Sequence, residues 1–190
     1  MIAIIEMKRL IKLLSVALAV IFLLIAAFQL PLVQKLRYPM PYKSLIYENA
    51  DKYGVDPFLI TAVIREESKF MPKSLSTAGA RGLMQLMPET AKWAAELNGL
   101  QSFTPEDLYQ PETNIMLGSW YIANLSKQFN NNTVLVLTAY NAGRGRVKDW
   151  LEQGEMTPQG RSEEIPITET REYVKRVLNS YAKYKKLYGD

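Results

Sequence analysis

The sequence contains neither histidine nor cysteine among its 190 residues. Without an imidazole or a thiolate, Ser-His-Asp and Cys-His catalysis are excluded, as are the usual Cys/His zinc sites. Acid–base chemistry near neutral pH then falls to a carboxylate, lysine or tyrosine whose pKa its surroundings have moved. Disulfides cannot support the fold, so cysteine usage leaves the redox compartment open. Strong charge of one sign is also missing. The formal net charge is +4, and half of it lies in residues 1–34, where Lys8, Arg9 and Lys12 stand against Glu6. Beyond that segment acids and bases are interspersed, with no basic stripe carrying interleaved aromatics, so nucleic acid is not an expected partner. Alternating runs long enough for a strand are absent, and so are internal repeats.

What remains is a chain of ordinary globular balance, 48% hydrophobic and 22% charged, long enough for one domain plus an N-terminal segment. No charged residue separates Lys12 from Lys35, and the 21 residues from Leu13 to Val33 are almost wholly apolar. At about 1.5 Å per residue they reach across a hydrocarbon core of about 30 Å. The basic cluster before them is expected to stay cytoplasmic and send the rest outward. A cleaved signal peptide has a shorter apolar region and a small-residue cleavage site, for which Ala26-Ala27 followed by Phe28 is a poor candidate. The expected organisation is a cytoplasmic N-terminus at 1–12, an uncleaved transmembrane signal-anchor at 13–33, a linker at 34–42 and an extracytoplasmic domain at 43–190. The membrane is thus an expected partner, through a single pass.

The domain reads as all-α. Asp56-Pro57 offers an N-cap followed by proline at the first helical position, opening a helix through FLITAVIREES. Thr104-Pro105-Glu106-Asp107 is expected to start another, with acids in its first turn. Asn114, Leu117, Tyr121 and Leu125 share one face of a helix from about Pro111 to Phe129. Thr133 introduces VLVLTAYNAG, with Gly143 as a left-handed stop and a Gly-Arg-Gly turn beyond. Residues 152–167 read as a polar loop. A last helix from about Thr168 to Leu187 carries Val174, Val177, Leu178 and Tyr181 on its buried stripe.

On the first strong helix the apolar arc centres on Leu59 and Val63, and Glu66 and Glu67 flank it on either side. Periodicity does not choose between them. It does put at least one carboxylate at the core margin, where partial burial raises the pKa as a general acid requires. Two solvated glutamates at a helix end are the plain alternative. Further on, Gly79 and Gly82 bracket a tight backbone path into GLMQLM, and Gln85 needs a hydrogen-bonding partner if buried. Tyr140 and Asn141 close the helix of TAYNAGRGRV.

Taken together and in order, ESKFMPKSLSTAGARGLMQLMPETA, NIMLGSWYIANL, LTAYNAGRGRV and ITETREYVKRVL resemble the soluble lytic transglycosylase family, over about residues 43–188. The resemblance implies an all-α, lysozyme-like catalytic domain of the goose-type lysozyme and transglycosylase kind, preceded here by the one N-terminal transmembrane helix. It implies that the glutamate before serine, Glu67, is catalytic. Ser76 then lines the cleft, and Met84 and Gln85 face the sugar subsites. Tyr140 is placed to hydrogen-bond the catalytic carboxyl beside Asn141, and Glu169 and Tyr173 stand at the cleft for support and substrate contact.

The implied reaction cleaves the β-1,4 bond between N-acetylmuramic acid and N-acetylglucosamine in peptidoglycan strands. Glu67 acts as acid and then as base, leaving a 1,6-anhydro-muramic acid end and needing no metal or cofactor. Most glycosidases use two carboxylates, whereas this chemistry needs one. A muramidase that delivers water would need a second, for which Glu169 is the candidate. A non-catalytic wall-binding protein of the same fold is the other alternative.

Overall fold

The computed structural model describes the backbone of residues 2–189 and the side chains of 7–28, 30 and 32–189. Met1 and Asp190, the outer ends of the expected 1–12 and 43–190 segments, lie outside the described residues. Two units divide the chain between Pro39 and Met40.

In the first unit, α1 (Ile2–Gln29) and α2 (Pro31–Arg37) follow one another directly. The break falls where Pro31 lacks the N–H that a continuous helix needs, and Pro31 then opens the second helix at its first position. Within α1, Met7–Phe28 has a mean hydropathy of 2.8, and the protein buries none of it. By length and composition it is able to cross a membrane.

The second unit is helical throughout, and among the described residues it contains no strand, only two isolated bridges, Leu75 with Arg81 and Arg81 with Leu86. Its helices are α3 (Lys43–Tyr53), α4 (Pro57–Ser68), α5 (Pro88–Leu97), α6 (Pro111–Gln128), α7 (Thr133–Ala142), α8 (Arg144–Glu152) and α9 (Thr168–Tyr188). Proline stands at the first position of α4, α5 and α6, where its fixed φ suits the helix and its missing N–H costs nothing. The core runs through Ile60 and Ile64 of α4, Ile115, Leu117, Ile122 and Leu125 of α6, and Leu137 of α7, all buried. Helix α4 packs along α9, α6 lies against α3, α5 and α7, and α7 joins α9.

Asp56 shows how one residue fixes two elements. Its Oδ1 accepts from the Phe58 N–H at 2.8 Å, capping α4, and its Oδ2 accepts from the Tyr181 hydroxyl of α9 at 2.6 Å. Burial and that carboxylate together push the Tyr181 phenol up to about 12.

Two expected helix boundaries are corrected. Thr104–Asp107 opens only a short 3₁₀ turn, Pro105–Tyr109, because the residue before Pro111 is held extended and α6 must begin afresh. Helix α7 begins at Thr133 as expected, behind an N-cap, Asn132, whose side chain accepts from Val134 and Leu135. Gly143 has positive φ (95°), but its ψ of 135° is not that of a left-handed stop, and it leads straight into α8, where a turn was expected. Val147 and Trp150 bury that short helix. In the expected polar loop of 152–167, Met156 and Ile165 reach the core, and Glu164 ties the segment by accepting from Thr157 and Arg161. On α9, Val174 and Val177 are buried as expected, while Leu178 and Tyr181 are half-buried and Tyr173 and Tyr184 complete the inner face.

Candidate active site

The segment from Lys69 to Met87 leaves α4 through two successive left-handed residues, Lys69 and Phe70, and returns as a compact loop. Its anchor is Asn114 of α6, fully buried. The Asn114 Oδ1 accepts from the Met84 N–H at 2.8 Å, and its Nδ2 donates to the carbonyls of Arg81 at 3.0 Å and Leu108 at 2.8 Å. The loop passes so close that a Cβ at Gly82 would lie 2.0 Å from the Leu108 carbonyl oxygen and 2.2 Å from Asn114 Nδ2. Only glycine is accommodated there, at a φ of 77°. The spacing of Asn114, Leu117, Tyr121 and Leu125 puts Asn114 on the inner face of α6 but does not disclose this role. A lone amide on an otherwise apolar stripe was the signal.

Glu66 and Glu67, equivalent by periodicity, have different surroundings. Glu66 turns toward α9, where its Oε1 accepts from the Ser180 hydroxyl at 2.7 Å. Three cations surround the same carboxylate: Lys69 at 3.1 Å, Arg176 at 3.7 Å and Arg65 at 3.8 Å. Glu67, one position on, faces two tyrosines instead. Burial pushes its pKa from 4.5 to about 7 and the charge of Glu66 adds to the rise, while Tyr173, Arg176 and Lys69 hold it back. The end of α4 acts in the upward direction too, since a helix C-terminus disfavours negative charge.

Tyr173 is buried on α9. Its hydroxyl sits near enough to Glu67 to lower that carboxyl's pKa, yet it meets no acceptor in full hydrogen-bonding geometry. Tyr140, at the end of α7, is coupled to the same group. Burial, then Glu67, hold its phenol well above the ordinary value of 10.0, and Tyr173 is raised by the same two causes in the same order. Both phenols therefore keep their protons across the physiological range.

The remaining expected residues divide between the site and its scaffold. Tyr140 was expected to hydrogen-bond the carboxyl. Its hydroxyl donates to the Met84 carbonyl at 2.7 Å, because the left-handed Gln85 (φ 47°) bends the backbone and presents that carbonyl to α7. Met84 was expected to face sugar. Its side chain is fully buried against Gly118, where an added Cβ would lie 2.2 Å from the sulfur, so it is core. Ser76 is half-buried and accepts the Ala80 N–H at 2.9 Å, closing the turn at Gly79. The Gln85 amide donates to the carbonyls of Gly82 at 2.9 Å and Ser74 at 3.2 Å, which gives this half-buried side chain the partners it requires.

Gln85, Tyr140 and Asn141 come together around an open cavity of about 250 Å³ that Met87, Thr90 and Tyr121 also line. Glu169 is exposed in the first turn of α9, one turn before Tyr173. Among the described residues no group of three Asp, Glu, His or Cys side chains is arranged to hold a metal ion. Chemically, the site offers one carboxyl poised to gain or lose a proton near neutrality, two phenols that stay protonated, and amides beside an open groove.

Residues 44–159 match the family described as the transglycosylase SLT domain. The soluble lytic murein transglycosylase of Escherichia coli strain K12 is 38% identical over 157 residues, covering 81% of this chain and 24% of that protein. Membrane-bound lytic murein transglycosylase C of Edwardsiella ictaluri is 30% identical over 168 residues, covering 77% of this chain and 47% of that protein. The crystal structure of the 70 kDa soluble lytic transglycosylase of Escherichia coli has a TM-score of 0.76 at 37% identity, covering 83% of this chain and 26% of that one. An inactive Glu-to-Gln mutant of the Pseudomonas aeruginosa lytic transglycosylase Slt has a TM-score of 0.73 at 38% identity, over 80% of this chain and 25% of that one. This chain thus spans about a quarter of the length of the soluble relatives. The match over 44–159 takes in α4 with Glu67, the Asn114-anchored loop and the end of α7, and the chain belongs to the transglycosylase SLT domain family.

Proposed function

We propose that this chain is a peptidoglycan lytic transglycosylase in which Glu67 acts first as acid and then as base. The observation that carries the reading is the Glu67 carboxyl, lifted to about 7 beside two buried phenols. Relatives named lytic murein transglycosylases support the substrate class, and an inactive glutamate-to-glutamine mutant among them supports a glutamate in the leading role.

In this reading protonated Glu67 gives its proton to the oxygen of the β-1,4 bond between N-acetylmuramic acid and N-acetylglucosamine. The C1–O bond breaks and N-acetylglucosamine leaves with a free hydroxyl. The muramic acid's own acetamido group stabilises the positive charge that develops at C1. Glu67, now a carboxylate, removes the proton from the C6 hydroxyl, whose oxygen attacks C1 and closes the 1,6-anhydro ring. Glu67 ends protonated, ready for another turn. The nucleophile belongs to the substrate, so the step is intramolecular and no second protein carboxylate is needed. The Tyr173 hydroxyl beside Glu67 donates more strongly once that carboxyl ionises, which favours the charged intermediate state. Gln85, Tyr140 and Asn141 line the groove for sugar, Ser76 borders its loop, and Glu169, exposed in the first turn of α9, is assigned to substrate contact.

The apolar helix and the relative named membrane-bound support association with the membrane. We assign residues 13–33 to a single-pass anchor, with 1–12 cytoplasmic, 34–42 as linker and the catalytic domain from 43 on the extracytoplasmic face.

The test is mass spectrometry of muropeptides released from purified peptidoglycan by the full chain in detergent. Products ending in 1,6-anhydro-muramic acid, absent with Glu67→Gln, are expected. Reducing ends would make water the nucleophile and Glu169 the first second carboxylate to test. Glycan binding without release would leave a wall-binding module.

A further inference from the structure

The aromatic rings around Tyr140 do not stop at the groove. Tyr121 lies 5.5 Å from Tyr140, Trp93 of α5 lies 6.3 Å from Tyr121, and Trp120 of α6 lies 4.9 Å from Trp93 in an edge-on arrangement. The Arg144 guanidinium covers the Trp93 ring at 4.3 Å. Both tryptophans are half-buried, so large apolar rings stay partly open to water. Trp120 then forms one wall of a second open cavity of about 250 Å³, lined also by Lys52, Tyr53, Asn98, Asn124 and Lys127. Tyr53 donates to Asn98 Oδ1 at 2.9 Å, and Asn98 Nδ2 donates to the Ala94 carbonyl at 2.8 Å, which fixes the cavity floor. Among the described residues neither Lys52 nor Lys127 takes part in an ion pair.

This combination has one chemistry in common. A partly exposed indole stacks on the apolar face of a sugar ring, the Asn124 amide answers an N-acetyl group, and two lysines without acidic partners attract carboxylates. Core packing accounts for none of the three, since the rings are half-open and the lysines sit at the mouth of a cavity.

We propose that this cavity is a second binding site for the strand that reaches Glu67. A sugar ring lies on Trp120, and the carboxylates of an attached peptide stem meet Lys52 and Lys127. The row from Tyr140 through Tyr121 and Trp93 links it to the groove. The inference rests on the glycan reading of the Glu67 site and adds to it a preference for strands that still carry their peptides.

The test measures binding by calorimetry in the full-length Glu67→Gln background, which removes turnover. The probes are a neutral β-1,4-linked N-acetylglucosamine hexamer and a peptidoglycan fragment of equal length that retains its peptide stems. Adding Lys52→Gln with Lys127→Gln weakens the stem-bearing fragment about tenfold and flattens its salt dependence, leaving the neutral hexamer within about twofold. Trp120→Leu weakens both probes about tenfold, and Trp120→Phe restores most of the loss. The lysine pair keeps the test decisive should the tryptophan variant unfold, because both lysines are exposed. Unchanged affinity of the stem-bearing fragment in the lysine double variant overturns the inference and leaves the Glu67 reading intact. Failure of the Glu67→Gln parent to bind either probe overturns that reading, and the inference with it.

Discussion

Glu66 and Glu67 are neighbours of identical chemistry, and much of their difference is made by residues of α9 more than a hundred positions away. Ser180 and Arg176 of α9 engage Glu66, whereas Tyr173, one turn earlier on the same helix, faces Glu67. Two predictions belong at this scale. The first concerns stability. The folded-state pKa of Glu67 is about 7 against an ordinary 4.5, so between these values the native state binds more protons than the unfolded chain. The contribution is fully present below pH 4.5 and is lost as pH rises through about 7, where a charged carboxylate must be held in a half-buried, poorly solvated place. Glu67→Gln removes that burden, so the variant melts higher than the parent at pH 8. The gap is worth up to about 3 kcal/mol and closes by pH 4. Equal melting temperatures at both pH values would mean a solvated carboxylate. The second concerns rate. As acid, Glu67 must start protonated, so kcat/KM is level below pH 7 and falls about tenfold per unit above it, while Glu67→Gln loses about a thousandfold or more. A profile that rises with pH would point to a base acting first. The wheel of α4 showed that a carboxylate borders the core. It did not show which one, because nothing in that segment encodes what α9 brings to it.

At the level of elements, the expected helices that materialised share a trait: each carries its own start signal or a long apolar stripe. Asp56-Pro57 for α4, Pro111 for α6 and the long stripe of α9 are of this kind. Helix α8 has neither a capping side chain nor more than two buried residues, Val147 and Trp150, and it holds Gly145, a poor helix former. Its formation depends on packing against α7, which no local pattern records. The Met84 assignment failed for a related reason. A motif marks a position without saying whether its side chain or its backbone does the work, and here the backbone does, with its N–H on Asn114 and its carbonyl on Tyr140. A third prediction follows from that geometry. Asn114→Ala leaves the Met84 N–H and the Arg81 and Leu108 carbonyls without their partner in a buried place. It is expected to destabilise the fold by about 2–4 kcal/mol and to free the loop of residues 69–87. Hydrogen exchange reads both effects, with the Met84 amide losing more protection than the amides of α9. A uniform loss across the fold would show that Asn114 supports the whole domain and has no special hold on the loop.

For the whole molecule, the two units treat their apolar residues differently. The unit beginning at Met40 buries its apolar residues internally, with Ile46, Ile64, Leu83 and Leu125 at zero exposure. In α1, by contrast, Leu13 is 68% exposed and Phe22 is 70% exposed, and no fold of their own covers them. Burying a side chain of this kind is worth about 1.5–3 kcal/mol, so the 22 residues of Met7–Phe28 together far exceed what a surface charge patch supplies. Retention at a membrane through this helix must therefore be hydrophobic in origin, insensitive to salt and abolished by detergent. The full chain should sediment with membranes, stay there in 1 M salt, where electrostatic attraction is screened within about 3 Å, and be released by detergent. A chain beginning at Met40 should remain in the supernatant and still generate anhydro-muropeptides from added peptidoglycan. Release of the full chain by salt alone would assign its retention to the basic residues around α1 and α2. Sedimentation of the shortened chain would place a membrane-binding surface on the unit beginning at Met40 itself.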